Sequence, residues 1–265
     1  MKTAFFYQQP EALDREIHKH LKLKPIADAG FAEQSHVVPI VAIEFADACL
    51  EYPIVFNKID PNNWGALAVT GLADGENLFI DQNKQWVGRY VPACIRRYPY
   101  ILADNGEQPM GVAIDLACPN VGEQVEGGEA LFLGDGQPAP QLQATMNFLA
   151  EFQNHVTVTQ ALIHRLAEAD LLVQSDLTIT LGDGRSAGLS GAWMVDENRL
   201  KALPDATAAA WFRSGDLALV YQHLLSLRNL TALLQRRAVA PAVVAPAAAE
   251  FAATEFAETE PGGDA

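Results

Sequence analysis

Cysteine is scarce in this chain. Cys49, Cys94 and Cys118 lie far apart, each among apolar neighbours. An odd count without paired spacing excludes a disulfide framework, so buried free thiols in a reducing compartment are expected. Basic residues are also few: 18 Lys and Arg stand against 33 Asp and Glu, a net charge of −15. Nucleic-acid binders carry a basic field over their footprint, and anionic membrane surfaces attract the same sign, so both are disfavoured as partners. No hydrophobic run approaches the roughly 20 residues that span a bilayer. The opening MKTAFFYQQPEALDRE holds too short an apolar patch for a secretory signal. The cytoplasm is therefore the default location, with the cell surface left open through signal-independent export.

Familiar chemical motifs are missing too. There is no Gly-Lys-Ser/Thr of a phosphate-binding loop. The glycines from Gly182 to Gly188 fail the dinucleotide spacing and read as a hairpin turn. Ser190 sits in a predicted strand, one position off the nucleophile-elbow pattern and without an evident base. The six histidines do not cluster: His18 and His20 share a segment, His164 and Glu168 have ordinary ion-pair spacing, and His155 and His223 stand alone. No metal and no cofactor is expected.

What is present is patterning. Residues 1–35 show little periodicity and read as an N-terminal arm. Strands are expected at VVPIVAIEF from Val37, PIVFNKI, WGALAVTGL, GENLFID, YPYILA and MGVAIDLA, with one or two helical turns at FADACLEY and a short helix after Pro92. Asp74-Gly75 and Asn105-Gly106 are turn signals. Residues 36–118 are thus β-rich, and 120–137 form a glycine-rich acidic loop. From Pro138 or Pro140, apolar residues Leu142, Met146, Leu149, Phe152, Val156, Ile163 and Leu166 follow helical steps. A hairpin comes next, then a helix capped by Asp196, a short helix from Ala206 to Phe212, and a last helix capped by Asp216 and running to about Arg236. The leucines of that last helix exceed one stripe, as burial or a homo-oligomer contact requires. Residues 138–237 are the helical and hairpin part, and 238–265 read as a disordered acidic Ala/Pro/Glu tail. The fold class is α+β, mainly antiparallel, with 36–237 as one domain.

The densest chemistry lies in GLADGENLFIDQNKQWVGRYVPACIRRYPY, residues 71–100, which hold four of the ten Trp and Tyr residues and three arginines. Guanidinium groups stack on ring faces and grip carboxylates in a forked geometry. In one reading Trp86, Tyr90, Arg96, Arg97 and Tyr98 wall a pocket for a small anionic molecule, a peptide or a protein partner. In the other, the arginines pair internally with Glu76, Asp81 or Asp115. Glu44 with Asp115 could also supply the paired carboxylates of an acid/base site, although Glu44 reads equally as the cap of a helical turn.

HVVPIVAIEF, EYPIVF, GLADGENLFID, YVPACIRRYPYIL, TITLGDG, GAWMVDENRLKALPD and LVYQHLLSLRNL together resemble the SapC family of bacterial proteins, in order and with matching spacing, from about His18 to Gln235. The resemblance implies an association with surface layers in one bacterial group. It also implies soluble relatives beside flavin-dependent halogenase-like enzymes and TonB-dependent receptors. It brings no catalytic residues. A peptide-transport permease that shares the name is a different protein, and the lack of membrane spans argues against it. Three functions stay open: a non-catalytic binding or accessory protein using the aromatic and arginine block, a surface-layer or envelope component, and an enzyme using a carboxylate pair.

Overall fold

The computed structural model describes residues 6–60, 63–103, 111–180, 186–239 and 249–250, with side chains described outside 177–190 and up to 238. The largest sheet is built on two strands that are apolar on both faces. They are β4 (Ile54–Lys58) and β5 (Trp64–Val69), and all six residues of β5 are buried. Strands without polar alternation need cover on both sides, which places them at the centre of a sheet. β3 (Val37–Ile40) pairs antiparallel with β5. On the other flank lie β10 (Leu172–Thr180) and β11 (Ser186–Val195), an antiparallel hairpin joined to β4 through Trp193 and Phe56. The path is β10-β11-β4-β5-β3, and β12 (Ala249–Glu250) runs parallel beside β11. Apart from those two residues, the predicted tail from residue 240 onward lies outside the described residues. So do the turns expected at Asn105-Gly106 and at 182–184.

Two smaller sheets use the segment expected to be an arm. β1 (Pro10–Ala12) pairs with β7 (Gly111–Asp115), which pairs with β6 (Tyr100–Ala103). β2 (Lys22–Leu23) sits between β8 (Val121–Gly122) and β9 (Glu129–Ala130), so the acidic loop contributes two short strands. Phe6, Tyr7, His18 and Leu21 are buried within this N-terminal stretch.

Helix α3 (Pro140–Glu168) starts with proline in its first turn, where the missing N–H costs nothing. It buries Leu142, Leu149, Phe152, Leu162, Ile163 and Leu166. Its buried Thr159 accepts a hydrogen bond from the N–H of Ala42 at 2.7 Å, tying the helix to the turn after β3. α1 (Phe45–Ala48) and α2 (Ala93–Arg96) are single turns. α4 (Glu197–Lys201) is capped by Asp196, whose carboxylate accepts from the N–H groups of Asn198 and Arg199, as the sequence suggests. α5 (Asp205–Ser214) follows.

Four sequence expectations need correction. VVPIVAIEF is a strand only to Ile40, because Ala42–Glu44 turns into a 3-10 helix. GENLFID is not a strand. Asn77 and Asp81 side chains accept the N–H groups of Phe79, Asn83 and Gln85, and such local bonds compete with a ladder. The last helix is two, α6 (Asp216–Ser226) and α7 (Asn229–Val239). The break occurs where Asn229 donates to the carbonyls of Cys49 and Tyr52 at 2.8 and 3.2 Å. Asp216 does not cap α6 by its side chain, since its carboxylate takes both forks of Arg165 at 2.8 and 2.9 Å. Among the described residues no helix is long and apolar enough to cross a membrane.

Candidate functional site

The 71–100 block wraps the end of the large sheet as a chain of turns pinned by side chains. Tyr52, fully buried, donates its hydroxyl hydrogen to the carbonyl of Tyr90. The indole N–H of Trp86 donates to the Tyr52 hydroxyl at 3.2 Å and to the Tyr90 carbonyl at 3.1 Å. Glu51 accepts from the N–H groups of Arg89 and Tyr90 at 2.7 and 3.1 Å. Together these bonds fix the loop ahead of α2.

Glu44 is a buried carboxylate with its capacity filled. Oε2 accepts from Val41 N–H at 2.9 Å and so closes the 3-10 turn Ala42–Glu44, whereas α1, the helical turn the sequence assigns it to cap, receives no side-chain cap from it. Oε1 accepts from Ala93 N–H at 2.8 Å and from the Tyr90 hydroxyl at 2.7 Å. Tyr90 therefore turns inward. Burial, then the Glu44 charge, push its hydroxyl pKa well above the ordinary phenol range. Asp115 has no exposed surface. It accepts from the N–H groups of Gln9 at 2.8 Å, Gln8 at 3.0 Å and Ala117 at 3.1 Å, and from the Tyr98 hydroxyl at 3.3 Å. Two carboxylates committed to backbone amides make joints, and neither presents a free oxygen pair for acid/base work.

The arginines do not pair with the acids proposed for them. Glu76 pairs instead with Arg237 at 3.1 Å and accepts from Leu72 N–H at 2.8 Å. Asp81 holds its own turn. Among the described residues neither Arg96 nor Arg97 has an ion pair. The Arg97 guanidinium lies 5.0 Å from the ring centre of Phe152, and its buried Nε lacks a hydrogen-bond partner. Arg96 is exposed. Its Nε donates to the Val91 carbonyl at 3.0 Å, and its guanidinium carbon lies 6.0 and 5.7 Å from the ring centres of Tyr90 and Phe148.

Arg96 opens onto a hollow of about 360 Å³ together with Trp86, Tyr98, Ile95 and Phe31. Tyr98 and Phe31 are stacked at 3.9 Å, 15° from parallel. Of the sequence candidates, Trp86, Arg96 and Tyr98 meet there. Tyr90, Glu44 and Asp115 support the wall from behind, Arg97 stands on the α3 side, and Glu76 is taken up by Arg237. Phe31 escaped sequence reasoning because it is an isolated aromatic in a stretch read as an arm. Asp28, also in the lining, is the one acidic side chain among the residues that form this hollow.

A second hollow, of about 660 Å³, is lined by Phe6, Tyr7, Phe31, Glu33 and His36 among others. His36 Nδ1 lies 3.3 Å from Asp74 Oδ1. Burial lowers the His36 pKa, against the opposing pull of Asp74. Among the described residues no group of three or more His, Cys, Asp or Glu side chains converges as a metal site.

A family model described as SapC matches residues 13–233 of the chain. No curated protein and no solved structure matches it.

Proposed function

The chain belongs to the SapC family, and from that premise we propose that it is a non-catalytic binding protein whose Arg96 hollow holds a small anionic ligand or the carboxylate of a peptide. One observation carries the reading: an exposed guanidinium with no ion pair among the described residues, in a hollow whose lining is mostly aromatic and aliphatic, with Asp28 and Gln85 as its other polar members. A cation beside ring faces, in a hollow at the lower end of the size range for small-molecule sites, suits a flat or apolar acid. Because Nε is already bonded to Val91, the terminal nitrogens are left to fork onto a carboxylate. The saturated state of Glu44 and Asp115 supports binding over acid/base catalysis. Halogenase-like enzymes and TonB-dependent uptake, implied by the family resemblance, would be the setting in which such a ligand is handled.

The test is native mass spectrometry of the purified protein together with calorimetric titration of benzoate and of a tripeptide. Wild-type protein is expected to retain a small mass or to bind one of these probes saturably. Arg96→Gln should weaken binding by about tenfold or more, the loss of one charged hydrogen-bonded contact, at unchanged melting temperature. Equal binding by Arg96→Gln, or no retained mass and no probe binding by the wild type, overturns the assignment.

A further inference from the structure

Among the described residues, two charged side chains line the first hollow, and they have opposite sign. Asp28 comes from the 26–31 segment and Arg96 from α2. Other polar groups there are already engaged. The Trp86 N–H goes to Tyr52 and Tyr90 and the Tyr98 hydroxyl to Asp115, so these two residues give the hollow ring carbon. Gln85 turns its amide N–H to the Asn83 carbonyl at 3.3 Å. A carboxylate and a guanidinium free to move in one small hollow close into a forked pair. Asp28 and Arg96 form no such pair, and each is tied back to its own segment. Oδ1 of Asp28 accepts from the Gly30 N–H at 2.9 Å, and Nε of Arg96 donates to the Val91 carbonyl at 3.0 Å. The segments are fixed in turn, since Ala29 N–H donates to the Lys84 carbonyl at 2.7 Å and Arg96 N–H to the Pro92 carbonyl at 3.1 Å. Among the described residues Oδ2 of Asp28 accepts no hydrogen bond, and Lys84 is bound to Glu33 instead.

We infer that the ligand of this hollow is a free α-amino acid with a flat apolar side chain, its ammonium taken by Asp28 and its carboxylate by Arg96, which rests on Arg96 being the anion contact proposed above. A zwitterion satisfies both charges at once. A plain acid sets its charge against the Asp28 carboxylate, a plain amine sets its own against Arg96, and each mismatch counts against the wrong ligand. The C-terminal residue of a peptide carries an amide N–H in place of the ammonium, so Asp28 also selects against peptides. A volume of about 360 Å³ suits one residue rather than a chain. The rings of Phe31, Trp86 and Tyr98 and the aliphatic groups of Ile26, Val91 and Ile95 receive the side chain. Asp28 and Arg96 are both exposed, so water screens part of each contact and neither alone holds a small molecule tightly.

Calorimetric titration compares L-phenylalanine with hydrocinnamate, which lacks the ammonium, and phenethylamine, which lacks the carboxylate. Phenylalanine is expected to bind saturably, and each single-charge analogue about tenfold more weakly, the worth of one charged hydrogen bond. Asp28→Asn keeps an acceptor for the Gly30 N–H and drops the charge. It should weaken phenylalanine binding by about tenfold and bind hydrocinnamate at least as tightly as the wild type, which reports an intact fold and an intact Arg96. Arg96→Gln should weaken phenylalanine and hydrocinnamate alike. Hydrocinnamate binding as tightly as phenylalanine, with Asp28→Asn without effect on either, overturns the amino-acid assignment and leaves Arg96 as an anion contact. Phenethylamine binding as tightly as phenylalanine, or phenylalanine binding unchanged in Arg96→Gln, overturns both. Absence of saturable phenylalanine binding overturns the amino-acid assignment, and the benzoate titration then decides the Arg96 contact separately.

Discussion

His223 shows how one buried ring can set the acid limit of stability. It has no exposed surface. Its Nδ1–H donates to the Ile54 carbonyl at 2.9 Å, and Nε2 accepts from Val195 N–H at 3.1 Å. Burial pushes its pKa down from 6.5 to about 4, partly offset by the bond to Ile54. The unfolded chain takes up this proton near pH 6.5, whereas the folded chain does not until about pH 4. Stability from the neutral ring is therefore complete above the upper value and drains away as pH falls through that window, by about 3 kcal/mol in all. His36 acts in the same direction. Urea unfolding between pH 7 and pH 5 should show a falling midpoint, with a shallower fall in His223→Gln. A flat wild-type profile excludes a neutral buried ring. Glu44 makes a second case. Replacing it by alanine strands the N–H groups of Val41 and Ala93 and the Tyr90 hydroxyl, for a loss of about 3 kcal/mol or more by denaturant titration. That Glu44 serves a turn was legible in the sequence, but which turn was not, since it closes Ala42–Glu44 and leaves α1 without a side-chain cap. Its bond to Tyr90 was not legible either, since it joins positions 46 apart.

Elements failed to follow the sequence where side chains competed with the backbone. The 76–81 stretch has strand-like composition, but Asn77 and Asp81 capture local N–H groups and leave Ile80 a single bridge to Trp86. Hydrophobic period identified α3 to within a residue or two, because its buried face repeats over eight turns. The same criterion ran α6 and α7 together, since period is blind to Asn229 bonding back to α1 and its neighbourhood. Gly71 illustrates a close approach that only coordinates reveal. A Cβ there would stand 2.0 Å from the carbonyl oxygen of Glu76, which is backbone and cannot swing away. Gly71→Ala should cost about 2 kcal/mol or more through overpacking, measured as a lowered melting temperature. Asp216→Asn should cost about 1–2 kcal/mol by the same measure. It breaks a forked pair with Arg165, and Arg165 is 41 % exposed, so solvent already screens part of the attraction.

At the scale of the molecule, α7 closes the block that forms the candidate site. Arg237 pairs with Glu76, and Arg236 lies 4.3 Å above the ring of Phe79. Arg237→Ala should make amide exchange in residues 71–80 faster while leaving β4 and β5 protected, a local opening rather than global unfolding. Uniform protection across both regions would show that the helix is not the clasp. The α+β class and the antiparallel hairpins were legible in the sequence because turn residues and short apolar runs are local signals. The hollows were not, since their walls come from 26–37, 85–99 and the segment around Tyr7, and no spacing rule joins those stretches.

The grip of Asp115 on the N–H groups of Gln8 and Gln9 also has a meaning in time. Gln9 leaves the ribosome 106 residues ahead of the carboxylate that will hold it. At about 5–20 residues per second that is a wait of roughly 5–20 s. Throughout it, the rings of Phe6 and Tyr7 travel without their berth, as cargo for a chaperone or for whatever other greasy surface they meet first.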